Sequence, residues 1–317
     1  MNHPIVVLAG GLSHEREVSL ASGRRVAAEL RALGREVVES DVDANLMDLL
    51  AGLDRPVVLP VLHGGTGEDG ALREALDLIA APYVGSDATA CRLTFDKALA
   101  TPVVVRAGVT APRRVVLPHD LFRELGAGRI VDQIVARLGL PLFVKPAVSG
   151  SALGCSRVDQ AAALPQAMVN AYNYGRVAVI EQFVVGTEVA VAVIDVGAGP
   201  RAYPPVEIRP DSGVYDWEAR YTPGATSFVC PADLPDPVLD QCRAAALTAY
   251  EALRQRDYAR MDLIVDPGGR PVFLEANVAP GLTETSTGPR AVEAAGASLG
   301  EVFGQLADQA ARRGYPA

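Results

Sequence analysis

Apolar positions recur along this 317-residue chain in more than one rhythm, and each rhythm implies a different element. A short apolar run at 5–9 ("IVVLA") reads as a strand, as do 36–42 ("EVVESDV") and 56–64 ("PVVLPVLHG"). A helical stretch, 18–33, lies between the first two and is stopped by Gly34. This alternation predicts a small parallel sheet with helices on both faces, ending near residue 90. Ligands of such sheets sit at the carboxyl ends of the strands, which here means 10–17 and 63–70.

A second unit comes next: a helix over 95–108, a strand over 140–147, a Gly/Ser loop, a helix over 160–172 and a strand over 177–183. From 183 to 317 long strands alternate with two helices, the clearer at 237–255. No repeat or low-complexity segment appears. The Pro-rich stretch 200–235 is too polar and turn-laden for core and is expected to be a long functional loop. The division expected is 1–95, 96–182 and 183–317.

One pair of strands breaks its own pattern. In "RMDLIVDPGGRPVFLEANVAPG", Asp266-Pro267-Gly268-Gly269 is strong turn chemistry, because Pro presets φ and Gly tolerates positive φ. Period-two alternation puts Arg260, Asp262 and Ile264 on one face, and Phe273, Glu275 and Asn277 on the matching face of the return strand. With Val265 opposite Val272, Asp262 faces Glu275 and Arg260 faces Asn277. Like charges across a ladder destabilise it. Either that face is solvated, or a cation offsets the repulsion; two carboxylates and an amide oxygen suit magnesium rather than zinc.

Composition narrows the choices. The chain is 49% hydrophobic but only 5% aromatic, so Val, Leu and Ala carry the packing. A net charge of -9 argues against nucleic acid or an anionic membrane as the main partner. Four scattered cysteines without CxxC spacing suggest structural thiols in a reducing cytoplasm. "MNHPIVVLAGG" enters a strand with no leader-like segment, and Glu181, Glu188 and Asp195 interrupt the most apolar stretch, so no membrane span is expected.

Three glycine-rich segments offer chemistry. "KPAVSGSALG" at 145–154 places a lysine at a strand end before a small-residue loop; backbone N–H groups can approach an anion there, although an ordinary turn explains it as well. It lacks the order of a Walker A loop. "LHGGTGEDG" at 62–70 holds His63, Glu68 and Asp69 among four glycines, where a tight turn is the plainer reading. "GGLSHEREVSL" has Ser13 as a candidate cap before Glu15 and Glu17, acids that the helix dipole alone would favour.

In order, "GGLSHEREVSLASG", "LHGGTGEDG", "PYVGSD" with "DKALA", "LPLFVKPAVSGSALG", "IEQFVVGTE", "YDWEARY" and "ARMDLIV…FLEANVAPG" resemble the D-alanine–D-alanine ligase family from about residue 5 to residue 295. The resemblance implies an α/β (α+β) ATP-grasp fold, with an N-terminal parallel-sheet domain followed by two ATP-grasp subdomains. It also implies ATP-dependent joining of two D-amino acids through an acyl phosphate, for peptidoglycan. By the same resemblance Asp262, Glu275 and Asn277 match magnesium ligands, two ions being expected and manganese a substitute. Lys97, Lys145 and Arg220 would surround the phosphates, and Glu181, Gln182, Phe183, Val184 and Glu188 the adenosine. Arg260 and the N–H of Gly281 would stabilise the oxyanion. Glu15 would grip the first substrate's ammonium, with His63 near its carboxylate. Ser151 would link Glu15 to Tyr221 and close the long loop, excluding water from the acyl phosphate. Ser286 would hold the second substrate's carboxylate, beside Thr287. A cytoplasmic homodimer is expected on the same ground.

The chain departs from the family pattern at several positions. Arg220 replaces a usual lysine, which keeps the charge but changes its geometry to a planar fork. Ala152 lacks a usual hydroxyl, Gln182 stands where a lysine commonly meets adenine, "NVAPGLT" replaces "NTSPGMT", and Thr287 replaces a larger apolar residue. These changes keep open a paralogue of a specialised antibiotic or resistance pathway with a different second substrate, a D-lactate-using ligase included. A non-catalytic ATP-binding regulatory protein would show damage at the metal and oxyanion positions, and Arg260, Asp262, Glu275, Asn277 and Gly281 are intact. A Rossmann dehydrogenase fails for want of GxGxxG and its acidic partner.

Overall fold

The computed structural model describes residues 3–215, 217–222 and 224–314. Its first sheet is parallel, in the order β2-β1-β3, and is built from β1 (Ile5–Leu8), β2 (Val37–Ser40) and β3 (Val57–Pro60). Helices α1 (Arg16–Ala32) and α2 (Leu46–Gly52) make the crossovers; α3 (Ala71–Leu78), α4 (Ala88–Phe95) and α5 (Lys97–Arg106) come after β3. Gly34, at φ +73°, terminates α1 because an L side chain is costly in that conformation.

The second sheet is four-stranded and antiparallel, ordered β4-β7-β5-β6, and its segment comprises β4 (Arg114–Pro118), α6 (His119–Leu125), α7 (Ala127–Leu138), β5 (Leu142–Pro146), β6 (Ser156–Val158), α8 (Leu164–Tyr172) and β7 (Val177–Gln182). The third sheet runs β11-β10-β8-β12-β13, with β9 also on β8. Its elements are β8 (Thr187–Ile194), β9 (Arg201–Ala202), β10 (Val206–Pro210), α9 (Trp217–Tyr221), β11 (Thr226–Val229), α10 (Asp236–Ala252), β12 (Tyr258–Val265) and β13 (Pro271–Asn277), and the chain ends with α11 (Thr287–Ala294) and α12 (Leu299–Gly314).

Burial explains the sequence rhythms. From Val189 onward β8 is continuously apolar because Val189, Val191 and Val193 pack with α10, while Ala192 and Ile194 belong to the core that contains α11 and α12. That second core also contains β1 and β3: Phe303, Leu306 and Ala310 of α12 join Ile5, Val7, Leu30 and Leu59. The first sheet is therefore covered in part by the last helix of the chain.

Two expectations are corrected. Segment 200–235 is not all loop: β10 and β11 pair antiparallel in the third sheet, and Val206 and Ile208 are buried. Flanking prolines and the shortness of "VEIRP" hid the alternation. In the hairpin, Asp262 does face Glu275 and Arg260 faces Asn277, but a bulge between Asp262 and Leu263 slides the rest, so that Ile264 pairs with Val272 and Val265 with Pro271. One extra residue reverses the facing of every residue beyond it. Phe273 consequently lies in the core with Leu263, not beside Glu275. Among the described residues no helix is long and apolar enough to cross a membrane, and the four cysteines are unpaired.

Candidate functional site

Two cavities meet at Ile208, Tyr215, Arg220 and Glu275, which line both. The first, about 540 Å³, lies between the second and third sheets. The second, about 480 Å³, lies between the carboxyl end of the first sheet and the third sheet.

The first cavity is a cage of buried charge. Lys145, on β5, has its Nζ 2.8 Å from Glu181 on β7, and both are nearly inaccessible. It also donates to the carbonyl of Leu274, the residue released by the bulge, at 3.3 Å. Burial opposes the ammonium, but Glu181 and Glu275 outweigh it and raise the lysine's pKa, so it remains charged. Lys97 opens α5; its Nζ donates to the carbonyl of Ser149 at 2.7 Å and lies 3.3 Å from Glu275. Burial would raise the Glu275 carboxyl, yet Lys97, Lys145, Arg220 and Arg260 bring it down to about 2. At Glu188 burial outweighs the nearby Arg220 and Arg260 and pushes the carboxyl up to about 7. Arg220 stacks 4.1 Å above the ring of Tyr215.

Phe183 and Val184 line this cavity, with the Arg157 guanidinium 4.4 Å from the Phe183 ring centre. Gln182 also lines it, but its amide donates to the carbonyl of Leu138 at 2.7 Å. That amide satisfies an end carbonyl of α7, a use that the sequence pattern did not suggest.

The acidic face of the hairpin looks toward both cavities. Arg260 grips Asp262 with two hydrogen bonds of 2.7 Å, and the Asn277 amide donates to the same carboxylate at 3.0 Å. Both Asp262 oxygens are thus occupied by Arg260, with Asn277 and Glu275 beside them; two carboxylates and one amide offer oxygen donors only. Among the described residues no cluster of three or more His, Cys, Asp or Glu could hold a metal by itself. Such a pair suits a hard cation that takes its remaining ligands from phosphates and water.

In the second cavity Glu15, just before α1, accepts a hydrogen bond from the Ser151 hydroxyl. Two glycines fence its carboxylate: a Cβ on Gly64 would lie 2.4 Å, and one on Gly150 2.5 Å, from Glu15 Oε2. Ser13 does not cap α1; its hydroxyl donates to the His63 carbonyl at 2.5 Å. Arg260, Asn277, Gly281, Ser286 and Thr287 line the opposite wall. Gly281 packs so closely that a Cβ would come 2.8 Å from Ser286 Oγ. Thr287 is buried, and Ser286 accepts from the Thr283 N–H at 3.1 Å. The side chain of Tyr221 lies outside the described residues.

Glu68 and Ser22 had no role from sequence. Glu68 is buried in this cavity's wall and accepts from the Gly64 N–H at 2.7 Å; burial, then the charge of Glu15, pushes it up to about 7. Ser22 is wholly buried on α1, 3.1 Å from His63 Nε2. A polar residue in the apolar stripe of α1 was the available signal.

A family model for the D-ala D-ala ligase C-terminus matches residues 104–308. The D-alanine–D-alanine ligase of Bordetella avium is 39% identical over 317 residues, covering 98% of this chain and 96% of that protein. That of Desulforudis audaxviator is 38% identical over 312 residues, covering 98% and 99%. Among solved structures, the VanG D-Ala:D-Ser ligase from Enterococcus faecalis matches with a TM-score of 0.84 at 26% identity, over 98% of this chain and 100% of that one. The D-alanine–D-alanine ligase from Bacillus anthracis complexed with ATP matches at 0.81 and 25%, over 98% of each.

Proposed function

The chain belongs to the D-alanine–D-alanine ligase family of ATP-grasp ligases, and from that premise we propose that it joins two D-amino acids, D-alanine to D-alanine, with cleavage of ATP. The observation that carries the reading is the meeting of two cavities at Glu275 and Arg220, one lined by Lys97 and Lys145, the other by Glu15, Arg260 and Gly281. A nucleotide in the first would present its terminal phosphate where an amino acid in the second presents its carboxylate. We place the working units at 1–95, 96–182 and 183–317, in a cytoplasmic homodimer serving peptidoglycan synthesis.

A carboxylate resists attack by an amine because it is already anionic and oxide is a poor leaving group. The first substrate's carboxylate oxygen therefore takes the γ-phosphoryl group, ADP leaves, and an acyl phosphate forms. Lys97, Lys145 and Arg220 balance the charge of the phosphates. Asp262, Glu275 and Asn277 would hold magnesium, or manganese in its place, which when bound neutralises phosphate oxygens. Two ions would be expected there, which when bound would supply further charge neutralisation at the phosphates. Glu181, Phe183, Val184 and Glu188 face the nucleoside, and Gln182, its amide held by Leu138, forms the wall beside them. Glu15 holds the first substrate's ammonium, with His63 near its carboxylate and Ser151 linking Glu15 to Tyr221, the tie that closes the long loop over the reactants. Ser286 and Thr287 orient the second substrate, whose amine attacks the acyl carbon. Arg260 and the Gly281 N–H stabilise the oxyanion before phosphate leaves.

Phosphate release with ATP and magnesium, measured across D- and L-amino acids singly and in pairs, tests this reading. D-alanine alone is expected to give the strongest signal; no release with any D-amino acid would overturn it. The buried hydroxyl of Thr287 in the second cavity favours one other reading, a ligase with a more polar second substrate. It would show as release that requires an unlike pair.

A further inference from the structure

Helix α1 buries Ser19, Ser22, Gly23, Val26, Ala27 and Leu30 on one face. Two serines in an otherwise apolar stripe call for an explanation, because a buried hydroxyl without partners is costly. Ser19 is satisfied within the first sheet's own loops: it accepts from the Gly10 N–H at 2.9 Å and donates to the Val61 carbonyl at 2.7 Å.

Ser22 has different partners. Its oxygen accepts from the Leu282 N–H at 3.1 Å and lies 3.1 Å from His63 Nε2. His63 Nδ1 is 2.8 Å from the Ala279 carbonyl. A carbonyl only accepts, so Nδ1 carries the proton. Burial disfavours the imidazolium, so Nε2 presents its lone pair and the Ser22 hydroxyl donates to it. The chain of bonds runs Leu282 N–H to Ser22, Ser22 O–H to His63, and His63 N–H to Ala279, and it closes on the loop it left. That loop carries Gly281 between the two attachment points, and both anchors, α1 and the end of β3, come from the first sheet. Ser22 does not line the second cavity, whereas His63 and Gly281 do.

We infer that Ser22 is a positioning residue that clamps the 279–282 loop, and with it the Gly281 N–H, to the histidine of the first substrate's site. Gly281 has no side chain to anchor its loop, so the bonds at Ala279 and Leu282 on either side of it help aim its N–H, with the Thr283–Ser286 bond beyond them. The inference rests on the ligase reading above for its catalytic consequence, but the clamp itself does not.

Ser22→Ala is expected to lower kcat by about tenfold to hundredfold, as misplacement of about 1 Å near a reacting group can, while the KM for ATP stays within about twofold. Ser19→Ala removes an equally buried double hydrogen bond from the same helix, and kcat should stay within about threefold because its partners lie away from the oxyanion loop. Equal kcat losses in both variants would overturn the inference, since a general loosening of α1 would then explain them. Should Ser22→Ala fail to fold, the isosteric pair Ser22→Thr and Ser22→Val reads the hydroxyl alone: Thr should retain most of the kcat that Val loses, and equal values would refute the clamp. Hydrogen exchange at the Leu282 amide needs no turnover. Faster exchange in Ser22→Ala than in Ser19→Ala supports the clamp even if no amino-acid pair is ligated, and equal exchange overturns it whatever the activity.

Discussion

Glu275 lines both cavities, and its ionisation is held by four cations against the cost of burial. Its folded pKa of about 2 lies below the ordinary 4.5, so the stability it contributes is present above about pH 4.5 and is lost as pH falls toward 2. Glu275→Gln keeps the shape and removes the charge; turnover should fall about 100-fold or more with the fold intact, because charge balance at the phosphates is lost. Phosphate release near the unaltered rate would deny Glu275 its role. Glu68 behaves oppositely. Its folded pKa, about 7 against 4.5, means that it keeps a proton that the unfolded chain has given up, so stability declines as pH rises from about 4.5 to about 7. Glu68→Gln should abolish that slope and gain up to about 3 kcal/mol relative to the parent above pH 7, as read by urea unfolding at several pH values. Parallel pH curves for variant and parent would show that the Glu68 environment is not as described.

At the scale of elements, the loop between β5 and β6 matters through what it leaves out. Gly150 lies where a Cβ would come 2.5 Å from Glu15 Oε2, and Ser151 and Ala152 sit next to it at φ +49° and +58°. Two L residues in the left-handed region store strain that the surrounding contacts must offset. Gly150→Ala is expected to raise the KM of the first amino acid at least about tenfold by displacing Glu15, leaving ATP binding within about twofold. A loss confined to ATP affinity would instead tie the loop to the nucleotide alone. The hairpin makes a similar point: its bulge turns Phe273 into the core and frees the Leu274 carbonyl for Lys145.

For the whole molecule, the last helix secures the first sheet. Asp257, fully buried ahead of β12, accepts from the Gly85 N–H at 2.7 Å and from Arg313 of α12 at 2.7 and 2.8 Å. Arg313 also donates to the Tyr83 carbonyl. One carboxylate thus joins the first sheet's loop, the third sheet and the last helix. Asp257→Ala leaves the Gly85 N–H and a guanidinium without their partner, and should cost about 3 kcal/mol, lowering the unfolding midpoint while the KM for ATP is unchanged. An unaltered midpoint would mean that the three parts are held chiefly by the apolar core they share.

Much was readable from residues alone. The β-α-β rhythm, the antiparallel hairpin and the opposition of Asp262 to Glu275 arise from side-chain periodicity and turn chemistry, which depend on near neighbours in the chain. The ordered motifs identified the family. Tertiary structure alone decided the rest: β10 and β11 as sheet strands, Gln182 turned to the end of α7, and Ser22 tied to a loop 260 residues away. Periodicity tells which face of an element turns inward but not what it meets there. The partner of a buried hydroxyl or carboxylate is set by topology and by the closing of long loops, and neither leaves a local pattern in sequence.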